Sequence, residues 1–294
     1  MGILYACITV AGWGLWLVPS QNIPFKNQNI KTLYITGTAM VAAFLVALSQ
    51  NQLVTNPGGF WLPFTGGLIW AVSGLCAFTG THKIGMAKAY GIWAPINIII
   101  SILWGALLFK EFPNMDVSNF LLLVFYLALI ISGVLMIILS KGGEGQSRNK
   151  ADFTWGVLGA VGAGFLWGSY VIPIKLSQVS AWASAFPLTV GMFVGSVILT
   201  ALNRQSPRLN NVKEYRLVIL SGILWVIGNY GMLLLVETFG AGRGFTIAQL
   251  SVVLGAIVGI YFLKDPKPHT KAASLTLAGC VLATIGGILL GNLS

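Results

Sequence analysis

Residues Gly222–Asp265 read GILWVIGNYGMLLLVETFGAGRGFTIAQLSVVLGAIVGIYFLKD. A Trp-bearing apolar run leads into a glycine-rich break that carries Arg243. A second apolar run follows and closes on Lys264-Asp265. Residues Gly67–Glu111 repeat that order as GLIWAVSGLCAFTGTHKIGMAKAYGIWAPINIIISILWGALLFKE. Trp70 corresponds to Trp225, Gly85 to Gly240 and Lys88 to Arg243 at an offset of 155, and Lys110-Glu111 to Lys264-Asp265 at 154. A further match lies near the start of each half, where Trp13-Gly14-Leu15-Trp16-Leu17-Val18-Pro19 faces Trp167-Gly168-Ser169-Tyr170-Val171-Ile172-Pro173, again 154 apart. The chain is one unit written twice.

Composition says where that unit lives. Of the 294 residues, 8% are charged, against about 25% in soluble domains. Apolar residues make up 56% and the mean hydropathy is +0.84. Apolar runs of membrane-spanning length recur, and they are continuous rather than alternating, which excludes a barrel. The expected fold is an all-α integral membrane protein of ten transmembrane helices, at roughly 3–19, 32–50, 60–80, 85–109, 117–140, 155–176, 182–203, 216–236, 241–263 and 272–292. The polar connector 141–154 divides the chain into a first five-helix repeat, 1–140, and a second, 155–294. Five is odd, so the two halves insert in opposite orientations, as inverted-topology repeats do.

The net charge of +10 reads as topogenic rather than as a nucleic-acid footprint. Every Lys and Arg except Lys110, Lys175 and Arg243 falls in the loops after spans 1, 3, 5, 7 and 9. The positive-inside rule then places those loops in the cytoplasm, the connector 141–154 among them, and both termini outside. The expected location is the cytoplasmic (inner) membrane, multi-pass. The first apolar run lacks a basic n-region and a small-x-small cleavage site, so it is read as the first span. Cys7, Cys76 and Cys280 lie inside apolar runs without metal-ligand spacing and read as packing residues. His82 and His269 are expected in loops with no partner nearby.

No enzyme constellation, metal cluster or cofactor motif emerges. All seven acids lie in loops or at span ends. Gly240-x-Gly242-x-Gly244 follows a helix rather than a strand, so it is no phosphate loop. The polar residues within the spans are uncharged: Asn97, Ser101, Ser169, Asn229, Thr246, Gln249 and Ser251. In hydrocarbon each must face protein or a water-filled cavity. Aromatic residues accompany them, and neutral amides and hydroxyls among flat rings suit an uncharged polyhydroxylated solute. Trp13, Trp70, Trp167, Tyr170, Trp225, Asn97, Asn229 and Gln249 are the candidate solute contacts. Trp61, Trp155, Trp182 and Trp93 read as interfacial belt residues. Pro19 and Pro173 match across the repeat and are expected to bend or end helices along the pathway, with Pro95 an unmatched third. Lys88 and Arg243, at helix starts, either snorkel to headgroups or gate a cavity mouth by pairing with an acid such as Glu237. Gly164/Gly168, Gly191/Gly195, Gly255/Gly259 and Gly287/Gly291 have the spacing of close helix packing.

The ten-span pattern, with a Lys-acid pair closing the fourth span of each half, resembles the drug/metabolite transporter superfamily. Leu224-Trp225-Val226-Ile227-Gly228-Asn229, Phe245-Thr246-Ile247-Ala248-Gln249-Leu250, Leu263-Lys264-Asp265 and Gly286-Gly287-Ile288-Leu289-Leu290-Gly291-Asn292-Leu293 are similar to the glucose/ribose porter family of bacterial sugar uptake proteins. Ser73-Gly74-Leu75-Cys76 departs from that family's polar amides after the Trp of span 3. The resemblance implies carriage of monosaccharides such as glucose across the cytoplasmic membrane by alternating access, with proton symport. The residues themselves leave facilitated diffusion open, because Glu111, Glu237 and Asp265 all lie at membrane edges. Export of amino acids or other metabolites is the competing reading. Spans 1, 3, 4, 6, 8 and 9 are expected to line a cavity richer in hydrogen-bonding groups on the side of the second half. Spans 5 and 10 are expected to be peripheral or to form a homodimer contact. The expected partners are a neutral sugar, protons and the lipid bilayer, without nucleic acid.

Overall fold

The computed structural model describes residues 2–21, 23, 28–53, 56–109, 116–140, 150–202, 204, 206–239, 247–248, 250–291 and 293. Among these residues all regular structure is helical. The first half comprises α1 (Gly2–Leu15), α2 (Val18–Gln21), α3 (Gln28–Ser49), α4 (Pro57–Ile84), α5 (Met86–Phe109) and α6 (Val117–Leu139). The second comprises α7 (Lys150–Ser169), α8 (Val171–Ser177), α9 (Ala181–Leu202), α10 (Val212–Phe239), α11 (Ser251–Tyr261) and α12 (Lys271–Gly291). Nine helical stretches among the described residues are long and apolar enough to cross a membrane, with α11 a shorter apolar helix. The chain is an all-helical, multi-pass integral membrane protein.

The expected first and sixth spans are each broken in two. α1 stops at Leu15 and α7 at Ser169, and α2 and α8 resume after a short turn. Pro19 and Pro173 lie four residues beyond those two end points. A proline lacks an N–H, and its ring clashes with the carbonyl four residues back, so both breaks follow from the sequence. Pro95 behaves differently, because α5 runs through it without interruption.

Several elements of the two halves are alike in length. α4 and α10 are 28 residues each, and α3 and α9 are 22 each. α4 packs on α7, α8 and α9, while α10 packs on α1, α2 and α3. α5 packs on α7, and α11 on α1. α3 meets its own counterpart α9, and α6 meets α12. These contacts pair across the halves, whereas α5 also packs on α4 and α12 without a matching set in the other half.

Lipid supplies no hydrophobic force between helices, so close approach must hold them. The small residues supply it. A Cβ at Gly164 would fall 2.5 Å from the Trp93 carbonyl, and one at Gly168 2.9 Å from that of Asn97, which seats α7 on α5. Gly191 and Gly195 press α9 on α4 at Phe64 and Ala71, and Gly255 and Gly259 press α11 on α5 at Tyr90 and Ala87. Three of the four glycine pairs therefore sit at helix crossings. α6 and α12 form a peripheral pair joined where Gly133 and Gly279 meet, with Ile98, Ile130 and Leu290 as a separate small core. Much of α6 is exposed and apolar, as a lipid-facing helix should be.

Candidate functional site

The breaks, crossings and duplicated tryptophans converge on one place. A cavity of about 60 Å³ lies between the halves, walled by Trp13, Trp16, Trp70, Tyr90, Trp93 and Ala94, and by Asn97, Trp167, Tyr170, Trp225, Ser251 and Val252. Three pairs of its rings are repeat counterparts: Trp13 with Trp167, Trp16 with Tyr170, and Trp70 with Trp225. They come from α1, α4, α7 and α10 and from the turns at the two helix breaks. The breaks position Trp16 and Tyr170, since each lies in the turn that its proline enforces.

Six of these rings form one connected cluster. Trp70 lies 5.1 Å from Trp225 at 73° and 5.9 Å from Trp167. Trp16 is 6.1 Å from Trp70 and 6.2 Å from Trp167. Trp93 meets Trp167 edge-on at 5.2 Å, and Tyr90 lies 4.6 Å from Trp93. These are edge and tilted arrangements, the ones that aromatic quadrupoles favour.

Polar groups are few and placed with care. The Tyr90 hydroxyl donates to the Trp13 carbonyl at 2.7 Å. The Asn97 side-chain carbonyl accepts from Ser101 at 3.2 Å, which orients its amide. The indole N–H groups of Trp13 and Trp167 are buried, and neither has a hydrogen-bond partner within the protein. An unmade buried donor costs about 1–3 kcal/mol, and these two stand at counterpart positions among the lining residues, while Thr32, Ser221 and Tyr230 away from the cavity also lack a partner. Among the described lining residues none is charged.

Six of the eight expected contacts meet here: Trp13, Trp70, Trp167, Tyr170, Trp225 and Asn97. Asn229 is buried on α10 but does not line the cavity. Gln249 and Arg243 lie outside the described residues, and Glu237 lies on α10 with its side chain outside the description. Lys88 neither snorkels nor reaches the cavity. It is buried, and its ammonium donates to the Ser140 carbonyl at the end of α6, the negative pole of that helix. The Ser140 hydroxyl in turn lies 3.0 Å from that of Thr276 on α12, so Lys88 fastens α5 to the peripheral pair. Trp93 is buried in the cavity wall and not at an interface, whereas Trp61 and Trp155 are exposed near helix starts as expected. Trp16, Tyr90 and Ser251 also line the cavity without having been singled out as contacts. For Trp16 the signal was present, since it faces Tyr170 across the repeat. His82 lies in the last turn of α4 and not in a loop, and it has an interaction partner.

A family described as "Sugar transport protein" matches residues 4–293. The chain belongs to this family. Similar proteins include a Bacillus anthracis chain named for sugar uptake, 26% identical with 99% of each chain covered. A Listeria innocua chain named for sugar uptake is 28% identical, with 99% of this chain and 98% of that one covered. A second Bacillus anthracis chain, named for glucose uptake, is 23% identical with 99% of each covered. A solved crystal structure matches 99% of this chain and 98% of its own at a TM-score of 0.60 and 15% identity, so this sugar transport family member shares its fold.

Proposed function

We propose that this chain is a secondary carrier that moves a neutral monosaccharide such as glucose across the cytoplasmic membrane by alternating access between two inverted five-span halves. The observation that carries the reading is the pair of unpartnered indole N–H groups, Trp13 and Trp167, in a cavity whose described walls hold no charge. A sugar hydroxyl accepts from such a donor, while the rings cover the apolar C–H faces of the sugar. An amino acid would bring a carboxylate and an ammonium into the same uncharged walls, and that desolvation is costly.

The cavity volume adds a mechanistic step. About 60 Å³ admits roughly two waters at about 30 Å³ each, fewer than a monosaccharide displaces. The aromatic walls must therefore part to load the solute and close behind it. The proline breaks at Leu15 and Ser169 supply matched hinges for that motion. We place the loops after the odd-numbered spans in the cytoplasm and both termini outside. Proton symport would use an acid at a membrane edge, such as Asp265, and facilitated diffusion would use none.

Uptake of labelled glucose, ribose and rhamnose into proteoliposomes, with and without a pH gradient, tests the reading. Saturable flux of at least one sugar is expected. Absence of flux for all three, with amino-acid efflux from the same vesicles, would overturn it. Accumulation confined to an inward proton gradient selects symport. Equal flux with and without the gradient selects facilitated diffusion.

A further inference from the structure

We propose that a second, polar pocket is a second site for the same neutral sugar, in series with the aromatic cavity and divided from it by Phe78. The inference rests on the sugar reading above. The pocket has a volume of about 170 Å³ and is walled by Gln21, Lys31, Thr81, His82 and Asp265, with Gly85, Met86 and Leu263 completing it. At about 30 Å³ per water that volume admits roughly six waters, nearly three times what the aromatic cavity admits as it stands.

Its position follows from the order of the chain. Gln21 ends α2, Lys31 lies in the first turn of α3, Thr81 and His82 lie in the last turn of α4, and Asp265 follows α11. All of these belong to the connections after spans 1, 3 and 9, which are the cation-rich ones. The pocket therefore opens on the side that we place in the cytoplasm, where an imported solute leaves.

The wall between the two sites is one ring thick. Phe78 is fully buried and meets Trp16 edge-on at 5.9 Å, and Trp16 lines the aromatic cavity. The Lys31 ammonium lies 5.6 Å from the centre of the Phe78 ring, and Lys31 lines the polar pocket. Phe78 thus touches a wall residue of each site.

The pocket chemistry suits hydroxyl groups better than ions. A carboxylate accepts, an ammonium donates and an amide does both. Hydrogen bonds to charged partners are about twice as strong as neutral ones. Lys31 and Asp265 together favour neither an anion nor a cation. The Gln21 side-chain oxygen is buried and has no partner in the protein, which leaves an acceptor for a ligand O–H. Asp265 is held in place by the α4–α5 junction. Gly85 has φ +84°, and a Cβ there would lie 2.6 Å from Asp265 Oδ2. The carboxylate occupies space that only glycine leaves open.

Binding of labelled D-glucose to the purified full-length chain in nanodiscs tests the proposal. Two glucose molecules per chain are expected. Six of the ten tryptophans line the aromatic cavity and none lines the polar pocket. Asp265→Asn should therefore reduce the stoichiometry to one while keeping the glucose-induced change in tryptophan fluorescence. Gln21→Leu, which breaks no hydrogen bond in the protein at that oxygen, should weaken the second site at least fivefold, and it decides the matter if Asp265→Asn does not fold. A wild-type chain that transports glucose but binds only one molecule overturns the second site and leaves the sugar reading standing. Two sites of unchanged affinity in both variants overturn it as well. A wild-type chain that neither transports nor binds glucose removes both readings together.

Discussion

Replacing Trp13 or Trp167 by Phe removes an indole N–H and keeps a ring in the wall. In the free protein that N–H has no partner, so the change deletes an unsatisfied buried donor whose cost is about 1–3 kcal/mol. The smaller ring gives up packing of comparable size. The two terms oppose each other, so thermal stability without sugar should stay within about 1 kcal/mol of wild type. In the sugar complex the accounts differ, because wild type gains a hydrogen bond that the variant lacks. At about 1 kcal/mol for a neutral bond and 1.4 kcal/mol per factor of ten, each single variant should lose roughly fivefold in affinity. The double variant should lose about 30-fold if the sites act independently. Trp104→Phe is the contrasting case. The Trp104 N–H donates to the Ser169 hydroxyl at 2.9 Å, and Trp104 does not line the cavity. That variant should lose about 1 kcal/mol of stability with unchanged affinity. The measurements are half-saturating glucose for uptake in proteoliposomes and thermal unfolding of the purified chain. If both single variants take up glucose with wild-type half-saturation, the indole donors have no part in binding and the reasoning from unpartnered N–H groups fails.

Other expectations follow from single contacts. Gly85→Ala forces a β-carbon onto a residue at φ +84° and into the Asp265 carboxylate, so unfolding temperature should fall, with strain of about 1–3 kcal/mol. Pro173→Ala restores an N–H to the sixth span, so turnover should drop while glucose affinity, read from fluorescence, holds within about twofold. Lys88→Met removes the ammonium that caps α6, so the folded fraction in membranes should fall with no change in half-saturating glucose; a change in half-saturation alone would restore Lys88 as a gate. Lys83→Gln breaks the ion pair with Asp152, which is 29% and 49% exposed at its two side chains, and should cost under about 1 kcal/mol.

The fold was readable because the features that build it are local. Span length, loop charge and a proline four residues past a helix end all act within one stretch of chain, so Pro19 and Pro173 marked their breaks in advance. Pro95 has the same chemistry, but α5 is held by close crossings at Gly164, Gly168, Gly255 and Gly259 and stays continuous, so packing outweighs the missing hydrogen bond. Where the duplication supplied a second copy, as with Trp13/Trp167 and Trp70/Trp225, the expected residues come together along one cavity. The sequence was misread where rotation about a helix axis decides. Asn229 was expected among the solute contacts, lies one turn beyond Trp225, and does not line the cavity. Trp93 was assigned to an interface and instead stands against Trp167. The described polar wall is accordingly richer on the side of the first half, in Tyr90 and Asn97, than the sequence implied. That asymmetry bears on direction. Under the proposed carrier reading, counterpart indoles offer the sugar a donor from each half, whereas the oriented Asn97 amide belongs to α5, so that reading expects the inward and outward openings to differ in energy.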